Sequence, residues 1–294
     1  MFVIIGTVVM FGAILGGYIM HGGQIGALIQ ISEIIILNGA ALGAMLIGSG
    51  MSGLMTVFKA VLGTLKPSPY TKPAFLDSLK MLYALFTLAR KEGLLALEQH
   101  VERPEESAIF SQNPTFLANH HATHFFCDTM KVVLTGSVGA YELSDLTETD
   151  LESHHHEAMK PVDILSKVGD AMPAFGIVAA VLGVVITMGA IDGSPAEIGH
   201  KVAAALVGTL LGILMAYGVF QPLAQAVEAI VKAEEQYLQC IRHALISFAR
   251  GDAPMTCVEF ARRSIEPTYR PTFEELEEAA KGAVSAAANQ AQAA

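Results

Sequence analysis

Four long stretches of this sequence contain no Asp, Glu, Lys or Arg: Phe2 to Met20, Ile34 to Val57, Met172 to Ile191 and Val202 to Phe220. A helix needs about 20 apolar residues to cross the hydrocarbon core of a bilayer. Each run is therefore read as a membrane span, and an ordinary soluble domain is excluded. A hydrophobic content of 52% and a mean hydropathy of +0.48 agree. Histidine is missing from these runs as well. Their polar side chains are Thr7, Tyr18, Asn38, Ser49, Ser52, Thr56, Thr187, Thr209 and Tyr217. Proton and cation relays need an ionisable group at depth. This chain by itself is therefore not expected to carry one; either it moves no ions or a partner supplies the acid.

Other absences narrow the function further. No stretch alternates apolar and polar residues as a strand would. No nucleophile–base set, phosphate loop or complete metal site is present, so neither an enzyme nor a cofactor is expected. His120 and His124 are four apart with Cys127 one turn on, and His154, His155 and His156 form a separate run; such spacing can bind zinc, but four ligands are not evident and no metal is assigned. Cys127, Cys240 and Cys257 are the only cysteines, and no disulfide framework is implied. A net charge of −10 gives no reason to expect nucleic acid. The first run lacks a positive n-region and is soon followed by another span, so it reads as a retained anchor.

What charge there is sets the orientation. Of 18 Lys and Arg, 10 lie between spans two and three and 7 after span four, while the short link from His21 to Glu33 has none. Positive charge stays inside. Both termini and the long middle segment are thus expected in the cytoplasm. The expected fold is an all-α integral membrane protein. Residues 1–57 hold spans one and two, 58–168 a cytoplasmic helical domain, 169–223 spans three and four, and 224–294 a cytoplasmic helix and a tail. In the middle segment, Leu76, Leu79, Leu82, Tyr83 and Phe86 repeat at helical spacing up to a stop at Pro104. A second helical stretch runs from about Pro114 to Leu134, and "ELSDLTETDLESHHHEAMKP" reads as a solvated helix. The tail "KGAVSAAANQAQAA" has few core-forming residues and is expected to be disordered.

Inside the spans, the prolines and small residues carry the most information. Pro173 and Pro222 lack an N–H and free the carbonyls of Gly169 and Gly218. Both stand near the cytoplasmic ends of their spans, a place for a hinge or simply a tolerated helix end. Pro173, Ala180 and Thr187 are seven apart and share a face of span three. Thr209 can offer a hydroxyl at mid-membrane or bond its own backbone. Gly12 and Gly16, Gly39 and Gly43, and Gly208 and Gly212 have the spacing of close helix packing.

The runs "GDAMPAFGIVAAVLGVV" and "VGTLLGILMAYGVFQPLA", with "ARKEGLLALEQHVERPEESAIF" and "RPTFEELEE", resemble the flagellar stator proteins of the MotA type, within the wider MotA/TolQ/ExbB proton-channel family. The resemblance covers nearly the whole chain. It implies a homo-oligomer, a pentamer around two MotB chains, in which MotB brings the membrane aspartate and a peptidoglycan anchor. Ion flow would then drive the cytoplasmic domain against the rotor protein FliG. By motif match, Pro173 and Pro222 would couple ion passage to conformational change, and Arg90 and Glu98 would engage rotor charges. Eight residues apart, that pair would be separated by roughly 12 Å along an unbroken helix. Sodium-driven relatives tend to carry threonine where Ala180 stands; alanine offers no ligand oxygen, which favours protons, and Thr209 also bears on the ion path. The alternatives are an ExbB/TolQ-like energy-transducing subunit, which would have three spans with its large loop after the first, and a non-conducting membrane scaffold. The His154–His156 run has no counterpart in the resemblance.

Overall fold

The computed structural model describes residues 2–189 and 191–291, with side chains to Gly282. In chain order the helices are α1 (Phe2–Met20), α2 (Ile25–Leu28), α3 (Ile31–Thr64), α4 (Lys72–Glu92), α5 (Glu98–Glu102), α6 (Ala108–Ser111), α7 (Pro114–Leu117), α8 (His120–Leu134), α9 (Ala140–Met188), α10 (Pro195–Met215), α11 (Gln221–Ala249), α12 (Pro254–Ser264) and α13 (Phe273–Ala291). Short 3₁₀ turns lie at Leu94–Leu97 and Pro104–Glu106, and a π turn at Ala216–Phe220. No strand occurs among the described residues. Four helical segments are long and apolar enough to cross a membrane: Phe2–Met20, Ile25–Thr64, Ala140–Met188 and Pro195–Ala249.

The chain divides into two compact units, Met1–Pro67 with Glu157–Ile230 and Ser68–His156 with Val231–Ala294. Helices α9 and α11 contribute to both. The first unit contains the apolar spans. Leu37, Ala41 and Met45 recur every four residues on α3 and bury one stripe against Val168 and Met172 of α9 and Ala216 of the π turn. The other faces of these helices carry exposed apolar side chains, among them Ile35, Ile47, Val181 and Val185. That is the pattern of helices surrounded by lipid or by further apolar helices.

The second unit has an aromatic core. Phe75 and Phe86 of α4, Phe110, Phe116 and Phe126 are almost fully buried, together with Tyr237 and Ile241 of α11. The Phe86 and Phe248 rings stack at 4.4 Å. Helix α13 begins with a reciprocal cap: the Thr272 N–H donates to Glu275 Oε2 at 2.6 Å, and the Glu275 N–H donates to Thr272 Oγ1 at 3.2 Å. Glu275 also pairs with Lys72 at 2.8 Å, pinning α13 to the start of α4.

Several boundaries depart from expectation. The helix expected to run on to Pro104 stops at Glu92, because Gly93 takes φ = +90°. The stretch from Pro114 is two helices, not one, broken at Ala118 and Asn119, where the Asn119 side chain caps α8 by accepting from the Ala122 N–H. The segment read as a separate solvated helix is the first half of α9, which continues through Pro161 and Pro173 into span three. It also buries Leu143, Thr147 and Leu151, and so is not solvated all round. The tail expected to be disordered is helical to Ala291. Alanine has the highest helix propensity of any residue, and that outweighed the lack of core-forming side chains in the expectation; residues 292–294 lie outside the described residues, as does Ala190 near the expected end of span three. Span two bends at Gly50, whose φ of +65° interrupts α3 within "GSGMSG".

Candidate ion-coupling site

The two proline segments of the spans meet in the first unit. Pro222 has no N–H, and its ring would collide with the Gly218 carbonyl in a regular α-helix. The chain answers with the wide turn at Ala216–Phe220, closed by the Gln221 N–H donating to the Ala216 carbonyl. Gln221 then reaches α9. Its Nε2 donates to Asp170 Oδ1 at 2.8 Å and to the Ser166 carbonyl at 3.4 Å. A Cβ at Gly169 would stand 3.1 Å from Gln221 Nε2 and 3.2 Å from Phe220 Cβ, so glycine keeps this approach open. Gly169 is also the residue whose carbonyl Pro173 frees. The segment before Pro173 thus packs directly on the segment before Pro222.

Toward the other end of the same unit, α9 and α10 are held by small residues. A Cβ at Gly212 would lie 2.8 Å from the Met172 carbonyl oxygen and 2.9 Å from Gly176 Cα. Gly183 faces Ala205, and Gly176 faces the Gly208 carbonyl and the Thr209 Cα. The Gly208–Gly212 pair therefore serves packing within the chain. Gly12, Gly16, Gly39 and Gly43 have open space where a Cβ would go. Thr209 stands beside Gly176, and Ala180 follows Gly176 by one turn of α9; both are partly buried. Thr187 donates to the Gly183 carbonyl at 2.8 Å, which occupies its hydroxyl locally.

Glu33 was placed by sequence in the link between spans one and two. In the structure it is in the first turn of α3 and is 5% exposed. Its Oε2 would lie 2.5 Å from a Cβ at Gly208, and it has no hydrogen-bond partner among the described residues. The first unit thus holds a carboxylate that sequence reasoning missed. The signal was present: the glycine at 208 and the acid at 33 are complementary in size, but nothing local ties them together.

Arg90 and Glu98 are not on one helix. Arg90 lies in the last turn of α4 and Glu98 at the start of α5, beyond the Gly93 break and a 3₁₀ turn. Both are exposed. Arg90 Nη1 donates to the Gly251 and Asp252 carbonyls at 3.5 and 3.4 Å, so part of its role is to hold the turn between α11 and α12. Around them, Arg103 and Glu106 form a surface pair at 3.3 Å. His100 Nδ1 lies 2.7 Å from Ser107 Oγ, and burial lowers the His100 pKa, with Glu92 working against it. Of the zinc-spaced residues, Cys127 is turned into the core at 4% exposure, away from a ligand role.

Comparison with known proteins places this arrangement. Residues 4–93 match the family described as Motility protein A N-terminal, and residues 117–240 match the MotA/TolQ/ExbB proton channel family. The chain is 39% identical to Motility protein A of Salmonella typhimurium over 95% of its own length and 94% of that protein's. The chain belongs to the motility protein A family. Motility protein A of Escherichia coli K12 is equally similar, and the chemotaxis protein LafT of Vibrio parahaemolyticus is 34% identical over 93% of this chain and 96% of its own. Among solved structures, the C. jejuni MotAB structure superposes with a TM-score of 0.74 at 21% identity, covering 90% of this chain and 95% of that one. The Bacillus subtilis flagellar MotAB stator complex gives 0.70 at 23% identity, covering 87% and 92%. These likenesses show a shared fold.

Proposed function

We propose that this chain is the membrane stator subunit of a flagellar motor, which turns ion passage into motion of its cytoplasmic unit. The observation that carries this reading is the contact of the two proline segments through Gly169, Asp170, Phe220 and Gln221. Each proline leaves a backbone carbonyl without its helical partner, so the turns there are held by fewer hydrogen bonds than a regular helix. A change in charge or hydration beside spans three and four can shift this junction at low cost. Helices α9 and α11 run on from it beyond residues 156 and 230 without a break.

The acid that carries the ion comes from a partner. Spans three and four contain no ionisable side chain between Met172 and Met188 or between Val202 and Phe220. The similar solved structures are described as MotAB, which supports a MotB-type chain as that partner. Ala180 and Thr209 would flank the ion path, with Ala180 supplying no oxygen to a sodium ion. Protons are the ion on this reading. The exposed small residues of α1 and α3 and the exposed apolar faces support packing against further copies, a pentamer around two partner chains, in the inner membrane with both termini inside. Arg90 and Glu98 would meet the charges of the rotor protein FliG.

The test is proton flux. Vesicles carrying this chain alone should leak no more than empty vesicles. Adding a one-span partner with its aspartate should open a flux that the partner's Asp→Asn form loses, and swimming in sodium-free medium should be unchanged. A leak from the chain alone equal to that of the full complex would overturn the partner-acid reading. Loss of swimming without sodium would overturn the choice of ion.

A further inference from the structure

The histidine run has a structural destination. Within the unit formed by Ser68–His156 and Val231–Ala294, three helices each bring one donor to the same point. His121 lies in the first turn of α8, His154 on α9 and Glu234 on α11. His121 Nδ1 is 2.7 Å from Glu234 Oε1, and His154 Nε2 is 3.7 Å from the same oxygen. One donor atom from each of the three residues lies within 4.8 Å of the others. The two imidazoles stand 4.9 Å apart, edge to face at 74°. They open onto a cavity of about 210 Å³, which His124 and Asp150 also line.

This is the donor chemistry of a transition-metal site. Two imidazoles and one carboxylate form a three-ligand set that holds zinc in many proteins and leaves a fourth position for water or another side chain. Ligand bonds of about 2.0–2.2 Å in a tetrahedron put donors about 3.3–3.5 Å from one another. The observed 2.7 and 3.7 Å lie on either side of that separation, so small rotations of the side chains would bring them to it. A neutral imidazole nitrogen has a lone pair to give to a metal ion. An ordinary ion pair needs only one cation for Glu234; here two imidazoles converge on it, and no Lys or Arg lines the cavity. His155 adds a contact between the same two helices, 3.0 Å from Glu235.

We infer that His121, His154 and Glu234 form a binding site for a divalent transition-metal ion of the zinc type, which ties α8, α9 and α11 together within the cytoplasmic unit. Asp150 and His124, on the cavity wall, are within the same hollow to complete the coordination or hold its water. An ion bound only by the folded unit stabilises it by mass action, so the site would hold α8, α9 and α11 more firmly against one another.

The untagged full chain, purified in detergent and stripped with a chelator, tests this directly with Zn²⁺ and Co²⁺ as probes. The expected result is one Zn²⁺ per chain by metal analysis after dialysis. Co²⁺ should give visible absorption bands of a low-symmetry nitrogen and oxygen site that Zn²⁺ abolishes. His154→Ala and Glu234→Gln should each weaken Zn²⁺ binding at least tenfold, while His156→Ala, at the exposed neighbour, should not. Zn²⁺ should raise the unfolding temperature of the parent and leave that of His154→Ala unchanged. If Glu234→Gln fails to fold, His121→Gln at the most exposed ligand serves in its place. Less than one-tenth of an equivalent of bound Zn²⁺, or unchanged affinity in His154→Ala, would overturn the site.

Discussion

Replacing Pro222 with alanine tests the link between the wide turn and the motor. Alanine restores an N–H that can bond the Gly218 carbonyl and removes the ring that forces the turn open. The expected response is conversion of Ala216–Phe220 from a π turn to α-helix. With no residue removed, regularising the wide turn carries every later α11 side chain onward by about 1.5 Å and rotates it by about 100° relative to α10. Gln221 then leaves Asp170, at a cost of about 1–2 kcal/mol for the lost hydrogen bonds. Against that stands a gain of up to about 3 kcal/mol for alanine over proline in a helix interior. The gain is equal or larger, so Pro222→Ala should unfold in detergent at the same temperature as the parent or a few degrees above it, and membrane levels should be normal. Torque should fall sharply, because the junction with Gly169 is lost. Bead rotation under load, with immunoblots of the membrane fraction, measures this. Full torque at normal protein level would refute the reasoning, and so would a lowered unfolding temperature, which would mean the π turn is a stabilising feature in its own right.

Gly212→Ala sets a helix-propensity gain of about 1 kcal/mol against backbone overlap at 2.8 and 2.9 Å; overpacking of this kind costs about 1–3 kcal/mol, so a drop in unfolding temperature is expected, whereas Gly63→Ala, with open space, should show none. Glu98→Lys should reduce swimming with assembly intact, while Arg90→Glu should also loosen the Gly251–Asp252 turn and lower stability; normal swimming in Glu98→Lys would remove Glu98 from the rotor contact. Cys127 is buried with its thiol pushed up to about 11, and burial likewise raises Cys257, so native protein at pH 7.5 should resist iodoacetamide at both and react only after denaturation, as mass spectrometry would show. Burial depresses the pKa of His100, so its share of stability is complete above pH 6.5 and is lost as pH falls through the folded value; the unfolding temperature should fall from pH 7.5 to 5.5, and less so in His100→Gln.

Much of the fold could be read from absence. Each of the four charge-free runs coincides with part of one of the four helical segments long and apolar enough to cross a membrane, because the cost of burying a charge in lipid leaves a mark on every position. Chain breaks were harder. Gly93, Gly50 and Asn119 each change the path of the backbone, but glycine and asparagine also occur in places where they do nothing of the kind. The terminal alanines misled in the opposite direction: poverty in core residues and richness in helix formers point to different states, and a sequence does not say which will prevail.

The site was legible where its cause is local and hidden where its cause is a meeting of distant residues. Pro173 and Pro222 could be picked out because a missing N–H is a property of the residue itself. That the residues before them touch through Gly169 and Gln221 could not, since 52 residues separate those two positions. The same holds for Glu33 beside Gly208, and for His121 and His154 converging on Glu234. The spacing rule for metal ligands on one helix drew attention to His120, His124 and Cys127. Of these, Cys127 faces the core, and the His120 side of α8 opens on a different hollow from that lined by His124. The ligands that do converge are one per helix, so they leave no periodic trace in the sequence. A run such as His154–His156 places at least one imidazole on either side of its helix whatever the rotation, because successive residues turn by about 100°. In a helix packed on two neighbours, such a run secures a donor toward one of them, and that explains why three consecutive histidines can serve a site that uses only one.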